Sequence, residues 1–283
     1  MKFSCITTKT KSGKMNRNLF MKEMRRNALS LMIWTLVITI LITLTMSFYN
    51  TFTQNQSKIA GMLTIIPKGA LQFKGISNFN DLLSVLGFYS ANNVIYMMVL
   101  GSIFAIVLSS NIILKEEYNK TAEYLLTRPI TRSEIFLSKL AVLSVNVLIL
   151  NLVTSLAGFI SMELVRKGPF SIRAFMILSA YTLLLNILFA AIGLFMSTLV
   201  KRAKPVTTFS IGMVLIFYFI YTISKITEGG SKISYISPFR YARVDATNPG
   251  YALDFWHLAY FIGVTIILTI LSYRLYQRKD IYT

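Results

Sequence analysis

Charge is what this sequence lacks most. Asp, Glu, Lys and Arg together make up 14% of the 283 residues, and only eleven of them are acidic. A soluble domain carries about a quarter charged residues, so the shortage argues against one. Cys5 is the only cysteine, which excludes an intrachain disulfide, and nothing around it resembles a lipidation signal. The one histidine, His257, and the lack of a G-x-S-x-G elbow exclude an intramembrane serine protease of the usual kind. No cluster of Cys and His could hold a metal ion. The G-x-x-x-x-G-K-[ST] phosphate loop is missing too, since "SGKMN" around Gly13 has neither the spacing nor the hydroxyl. No apolar core of a secretory signal precedes the first long apolar run, because the first 26 residues are polar and basic.

What is present is hydrophobic and segmented. Hydrophobic residues reach 54%, and the mean hydropathy is +0.60. Stretches free of charge run over 27–57, 82–114, 140–162, 174–200, 205–224 and 255–273. Crossing a bilayer takes about 20 helical residues, so each stretch is long enough for one crossing and too short for two. The spacing predicts an all-α membrane protein with six transmembrane helices near 28–49, 91–114, 140–162, 174–199, 206–224 and 257–276. Apolar and polar residues do not alternate in these runs, which excludes barrel strands.

The formal charge of +18 is unevenly placed. Segments 1–26, 115–139, 201–204 and 274–279 hold nineteen of the 29 Lys and Arg residues, and the longer alternate segments hold ten. The positive-inside rule then puts both termini in the cytoplasm. Scattered over four segments, the basic residues read as topology signals and lipid-headgroup contacts, and nucleic acid is not expected as a partner. Residues 50–90 and 225–256 become outer loops, broken by Pro67, Gly69, Gly75 and the "EGGSK" stretch.

Two cytoplasmic segments have internal order. "NRNLFMKEMRRNALSLM" repeats Phe20, Met24, Ala28 and Leu31 at helical spacing beside Arg17, Lys22, Arg25 and Arg26. This predicts an amphipathic interfacial helix over 16–30, or a plain flanking anchor. The second segment, 115–139, carries nine charged residues between two apolar runs. Tyr118, Thr121, Ala122 and Leu125 share one helical face, and Glu116 and Lys120 form an i,i+4 pair on the other. Pro129 ends that helix. "TRSE" at 131–134 then reads as a capping box, starting a new helix that runs through Lys139 into the third span.

Three readings of 116–126 are open: a solvated loop, a helix on lipid, and a helix docked in a groove on a cytoplasmic partner. Three glutamates against one lysine make the helix repel an anionic leaflet. Its apolar face suits a protein groove.

Within the spans the polar residues are Asn92, Asn93, Asn111, Asn146, Asn151 and Asn186, with Ser109, Ser110, Thr154 and Ser155. Interhelical hydrogen bonds, worth about 0.6 kcal/mol each, account for such residues. Asn92, Asn93, Asn146 and Asn151 are also candidates for lining a translocation path. The spans hold no acidic or basic residue of the kind that binds coupling ions, so the driving force is expected from elsewhere.

"EEYNKTAEYLLTRPITRSEIFLSK" resembles the inner loop of ABC-2-type transporter permeases. That pattern is Glu-rich, then Gly-Thr, Leu-Leu-x-x-Pro, a small residue with Arg, and Lys. Glu117, Thr121, Glu123, Leu125, Leu126, Pro129, Thr131, Arg132 and Lys139 match it, while Lys120 stands where the family commonly has Gly. "IIPKGALQFKGI" (65–76) and "ISPFRYA" (236–242) are similar to outer-loop stretches of the same permeases.

The resemblance implies the membrane subunit of an ABC exporter in a cell membrane, the cytoplasmic membrane of a bacterium. A second permease copy or relative would complete it, and separate ATPase subunits holding ATP and Mg would power it. Such a subunit is not itself an enzyme and binds no cofactor directly. Glu117, Thr121, Leu125, Leu126, Pro129 and Arg132 are then the candidate ATPase-coupling residues. An amphipathic peptide or hydrophobic drug fits the uncharged spans. One group in the family exports phenol-soluble-modulin peptides, and resistance to antimicrobial peptides would follow from such export. Two tryptophans are few for a sugar channel. The alternative is a stand-alone membrane facilitator or scaffold without nucleotide coupling.

Overall fold

The computed structural model describes residues 15–55, 82–118, 130–166, 168–200, 203–226, 230–242 and 254–278. Among them the chain is helical and contains no strand. Six helical segments are long and apolar enough to cross a membrane.

Helix α1 spans Arg17–Ser47 and is followed by the short α2, Tyr49–Gln54. Asn16 caps α1 by accepting the Leu19 amide at 3.1 Å. No Gly or Pro interrupts residues 14–60, so nothing breaks the helix. The sequence predicts an interfacial helix at 16–30 leading into a span at 28–49, and the two form one continuous rod. The apolar face at its start also turns inward: Leu19 is buried, and Phe20, Met24 and Leu31 pack on the chain's own core, while Ala28 is exposed. Helical periodicity marks a face to be covered; here protein covers it.

The second span is built from α3 (Val85–Asn93), a π-helical segment (Val94–Leu100) and α4 (Gly101–Tyr118). Helix α5 runs Arg132–Val165 and α6 runs Ile172–Leu199. Helix α7 runs Ala203–Ile226, two 3-10 turns follow at Gly230–Ile236 and Pro238–Arg240, and α8 runs Phe255–Arg278. Helix α5 stops just before Gly168-Pro169, a pair that cannot continue it. Ser171 caps α6 by accepting the Ala174 amide.

Helices α4 and α6 form the centre of the bundle and make its most extensive contact. In the second span 72% of the apolar window is buried inside the chain, against 17% in the first and 11% in the sixth. Helix α1 packs on α5, α8 on α6, and α7 on α4. The α4–α6 contact is close because Gly193 has no side chain. A Cβ there would lie 2.6 Å from the Ile106 carbonyl oxygen. Outward faces are apolar: Leu148, Leu152, Leu156 and Ile160 follow each other every four residues along α5, all exposed. Apolar stripes of this extent are stable in lipid and not in water.

Candidate functional site: the hub at the start of helix α5

Thr131 and Glu134 form the capping box at the start of α5. The Thr131 hydroxyl accepts the Glu134 amide at 3.2 Å, and the Glu134 carboxylate accepts the Thr131 amide at 2.9 Å. Both donors would otherwise be orphans of the first turn. The cap fixes where α5 begins, immediately after the 115–129 stretch.

The first two turns of α5 reach three other helices. Arg132 donates from Nη1 to the Gln277 carbonyl at 3.2 Å, and Gln277 donates from Nε2 to the Ser133 hydroxyl at 3.0 Å. The Ser133 and Tyr273 hydroxyls share a hydrogen bond of 2.9 Å. Phe136 packs edge-on to Tyr273 and against Tyr276, with centroids 5.3 and 5.8 Å away. These contacts tie α5 to the end of α8. The Asn16 amide donates to the Ser138 hydroxyl at 3.0 Å, tying α5 to the start of α1. Lys139 donates from Nζ to the Ile112 carbonyl of α4. The starts of α1 and α5 and the ends of α4 and α8 therefore meet at one end of the bundle.

Beside this hub, Glu23 of α1 is buried and pairs with Arg26 at 2.9 Å. Two turns further along α5, Asn146 donates to the Met24 sulfur at 3.2 Å.

Arg132 is the candidate coupling residue whose side chain the structure brings into this hub. Glu117 lies in the last turn of α4. Thr121, Leu125, Leu126 and Pro129 lie outside the described residues.

The four path candidates have separate environments. Asn93, Asn146 and Asn151 are buried inside the chain's own core. Asn92 is half-buried and donates back to the Phe88 carbonyl at 2.8 Å. Asn93 donates to Thr182 at 3.2 Å, joining α3 to α6. Asn186 is the centre of a polar knot: it accepts Ser102 Oγ at 3.0 Å, and its Nδ2 donates to Asn151 Oδ1 at 3.3 Å and to the π-helical Met97 carbonyl at 3.5 Å. Asn111 and Thr207 pair across α4 and α7. By contrast, Ser109, Ser110 and Thr154 bond back to carbonyls of their own helices. Asn146 Oδ1 is buried with no hydrogen-bond partner among the described residues.

At the opposite end the polar contacts are aromatic. Tyr181 accepts the Asp254 amide at 2.9 Å, and His257 Nε2 lies 3.7 Å from the Asp254 carboxylate. The His257 ring meets Tyr241 edge-on at 5.4 Å, and Tyr241 stacks on Tyr260 at 4.1 Å. Arg240 lies 3.8 Å over the Tyr235 ring.

Sequence reasoning missed the burial of Lys139. It ran the new helix through this residue into the third span and gave the side chain no environment. The side chain is fully buried.

No curated protein is similar enough to the chain to be matched with it. The family described as ABC-2 family transporter protein matches residues 17–281, nearly the whole sequence. With six apolar helices and no other fold unit among the described residues, the chain belongs to the ABC-2 family, as a multi-pass membrane permease subunit of an ABC transporter.

Proposed function

We propose that this permease exports a hydrophobic or amphipathic substrate, a peptide or drug, and is driven by separate ATPase subunits that grip residues 116–126 from the cytoplasm. The observation that carries this reading is the continuity of α5. It starts at a capping box directly after the gripped segment and runs 34 residues without a break. A rod of that length spans about 50 Å, more than the bilayer core. Closure of the ATPase dimer would displace 116–126, and the rod would convert the displacement into a tilt of the third span. Leu125 and Leu126 supply the apolar grip, Glu117 and Thr121 its register, and Pro129 and Arg132 the turn into the rod. ATP and Mg stay on the ATPase. A second permease, a copy or a relative, completes the path, and both termini face the cytoplasm. Of the asparagines, Asn93, Asn146 and Asn151 serve here to hold helices together, while Asn92 is the one with an exposed edge.

Replacing both leucines, Leu125→Asp with Leu126→Asp, tests the grip. The doubly changed chain is expected in the membrane at normal level, with its ATPase no longer co-purifying. Retention of the ATPase would overturn the docking site. Substrate efflux without any ATPase would favour a stand-alone facilitator.

A further inference from the structure

Helix α1 is apolar on its outer side over a length that matches a bilayer. Exposed apolar side chains begin at Leu29 and end at Phe48, with Met32, Leu36, Ile40 and Leu44 between them. That stretch covers about 29 Å at about 1.5 Å per residue, and the hydrocarbon core of a bilayer is about 30 Å thick. The start of α1 therefore stands outside the core. Arg25 lies about 6 Å and Lys22 about 10 Å before Leu29 along the helix axis, at headgroup depth. The outer face keeps one line through this boundary. Asn18, Lys22, Arg25, Leu29, Met32 and Leu36 follow each other at steps of three or four residues, and all six are exposed. Donors come first and hydrocarbon after, the order in which a glycerophospholipid presents its phosphate and its acyl chains.

The charge on this face is uncompensated. Glu23, the one acidic residue of α1, is turned inward, buried and paired with Arg26 at 2.9 Å. Among the described residues, the side chains of Lys22 and Arg25 form no hydrogen bond or ion pair. Residues 1–14 contain four lysines and no acid, so they bring no counter-charge. The contact with α5 keeps α1 from rolling the pair away: the Asn16 amide donates to Ser138, and Met24 accepts Asn146. A topology signal needs only basic residues near the end of a span. It does not require them to line up with an apolar stripe, or the one acid to face inward.

We propose that Lys22 and Arg25 hold the phosphate of an anionic glycerophospholipid in the leaflet around the start of α1, with an acyl chain laid along Leu29, Met32 and Leu36. Arg25 supplies a planar set of donors to the phosphate oxygens, and Lys22 supplies a point charge beside it. A zwitterionic lipid carries its own cation and gains less from the pair. The site does not depend on where an ATPase docks. The bound lipid fixes the depth of α1 beside the α5 rod.

Native mass spectrometry of the detergent-solubilised chain tests the site, with titration by phosphatidylglycerol and by phosphatidylcholine of the same acyl chains. The wild-type chain is expected to prefer phosphatidylglycerol about thirtyfold, for two cations near a headgroup. Lys22→Ala with Arg25→Ala should abolish the preference, and Lys22→Arg with Arg25→Lys should retain it. Arg274→Ala with Arg278→Ala removes the same charge from exposed positions at the same end of the bundle, and should also retain it. Equal loss in both alanine pairs would reduce the effect to diffuse charge and overturn the site. Millimolar inorganic phosphate should not displace the lipid, because it has no chain for the apolar stripe. Displacement would show a plain anion site and overturn the lipid assignment. If the Lys22→Ala, Arg25→Ala chain cannot be purified, the wild-type chain decides alone. Equal binding of the two lipids by it would refute the proposal and leave this face to a protein carboxylate.

Discussion

Asn186 on α6 donates a hydrogen bond of 3.3 Å to Asn151 on α5, and both side chains are buried. This is a direct polar link between the central helix pair and the rod that begins at the capping box. Ser102 and the Met97 carbonyl hold the other face of Asn186, so its amide cannot turn away without losing three contacts at once. In lipid, where apolar surface gives helices little reason to associate, such a knot sets which helix faces which.

The knot predicts a measurable coupling. Asn151→Leu and Asn186→Leu should each lower the stability of the solubilised chain. A double-mutant cycle should return a coupling of about 0.6 kcal/mol, with about 1.7 kcal/mol as its ceiling. Asn111→Leu with Asn151→Leu, which share no bond, should be additive. Strict additivity for the first pair would mean that the link contributes nothing.

Gly193 gives a sharper steric prediction. A methyl group there meets the Ile106 carbonyl oxygen, a backbone atom that cannot rotate aside. Gly193→Ala should cost about 1–3 kcal/mol, read as a lower melting temperature by circular dichroism. Gly212 on α7 has nothing within 4 Å of its ideal Cβ. Gly212→Ala should be neutral, or stabilising by up to about 1 kcal/mol through helix propensity. Equal effects at the two glycines would show that α4 and α6 do not approach closely here.

The spans were legible because lipid allows almost no charge. The run 174–200 holds none, and α6 occupies Ile172–Leu199. The start of α5 was legible as well, since Thr131 and Glu134 at N-cap and N3 have a single economical use. Three features were not. Phe20, Met24 and Leu31 recur at the same spacing whether lipid or protein covers them, so the sequence did not show which of the two covers this face of α1. The π-helical stretch Val94–Leu100 is uniformly apolar apart from Tyr96, and such a run has no periodicity to distinguish 3.6 residues per turn from a wider turn. Lys139 bonds to a main-chain carbonyl, and a carbonyl leaves no trace in the order of side chains.

The hub and the charge count together predict an orientation. The start of α1 and the end of α8 meet at the start of α5, so the two termini of the bundle share a side. The sequence segments expected on that side hold nineteen of the 29 basic residues, so the positive-inside rule predicts that it faces the cytoplasm. The lone cysteine makes this easy to check. In intact cells a membrane-impermeant maleimide should leave Cys5 unlabelled, and permeabilised cells should label it fully. Lys232 is exposed in the 3-10 turn at the opposite end. A Lys232→Cys chain that also carries Cys5→Ser should react in intact cells. The reverse pattern would turn the permease over, put residues 116–126 outside, and remove any route by which a cytoplasmic ATPase could move α5.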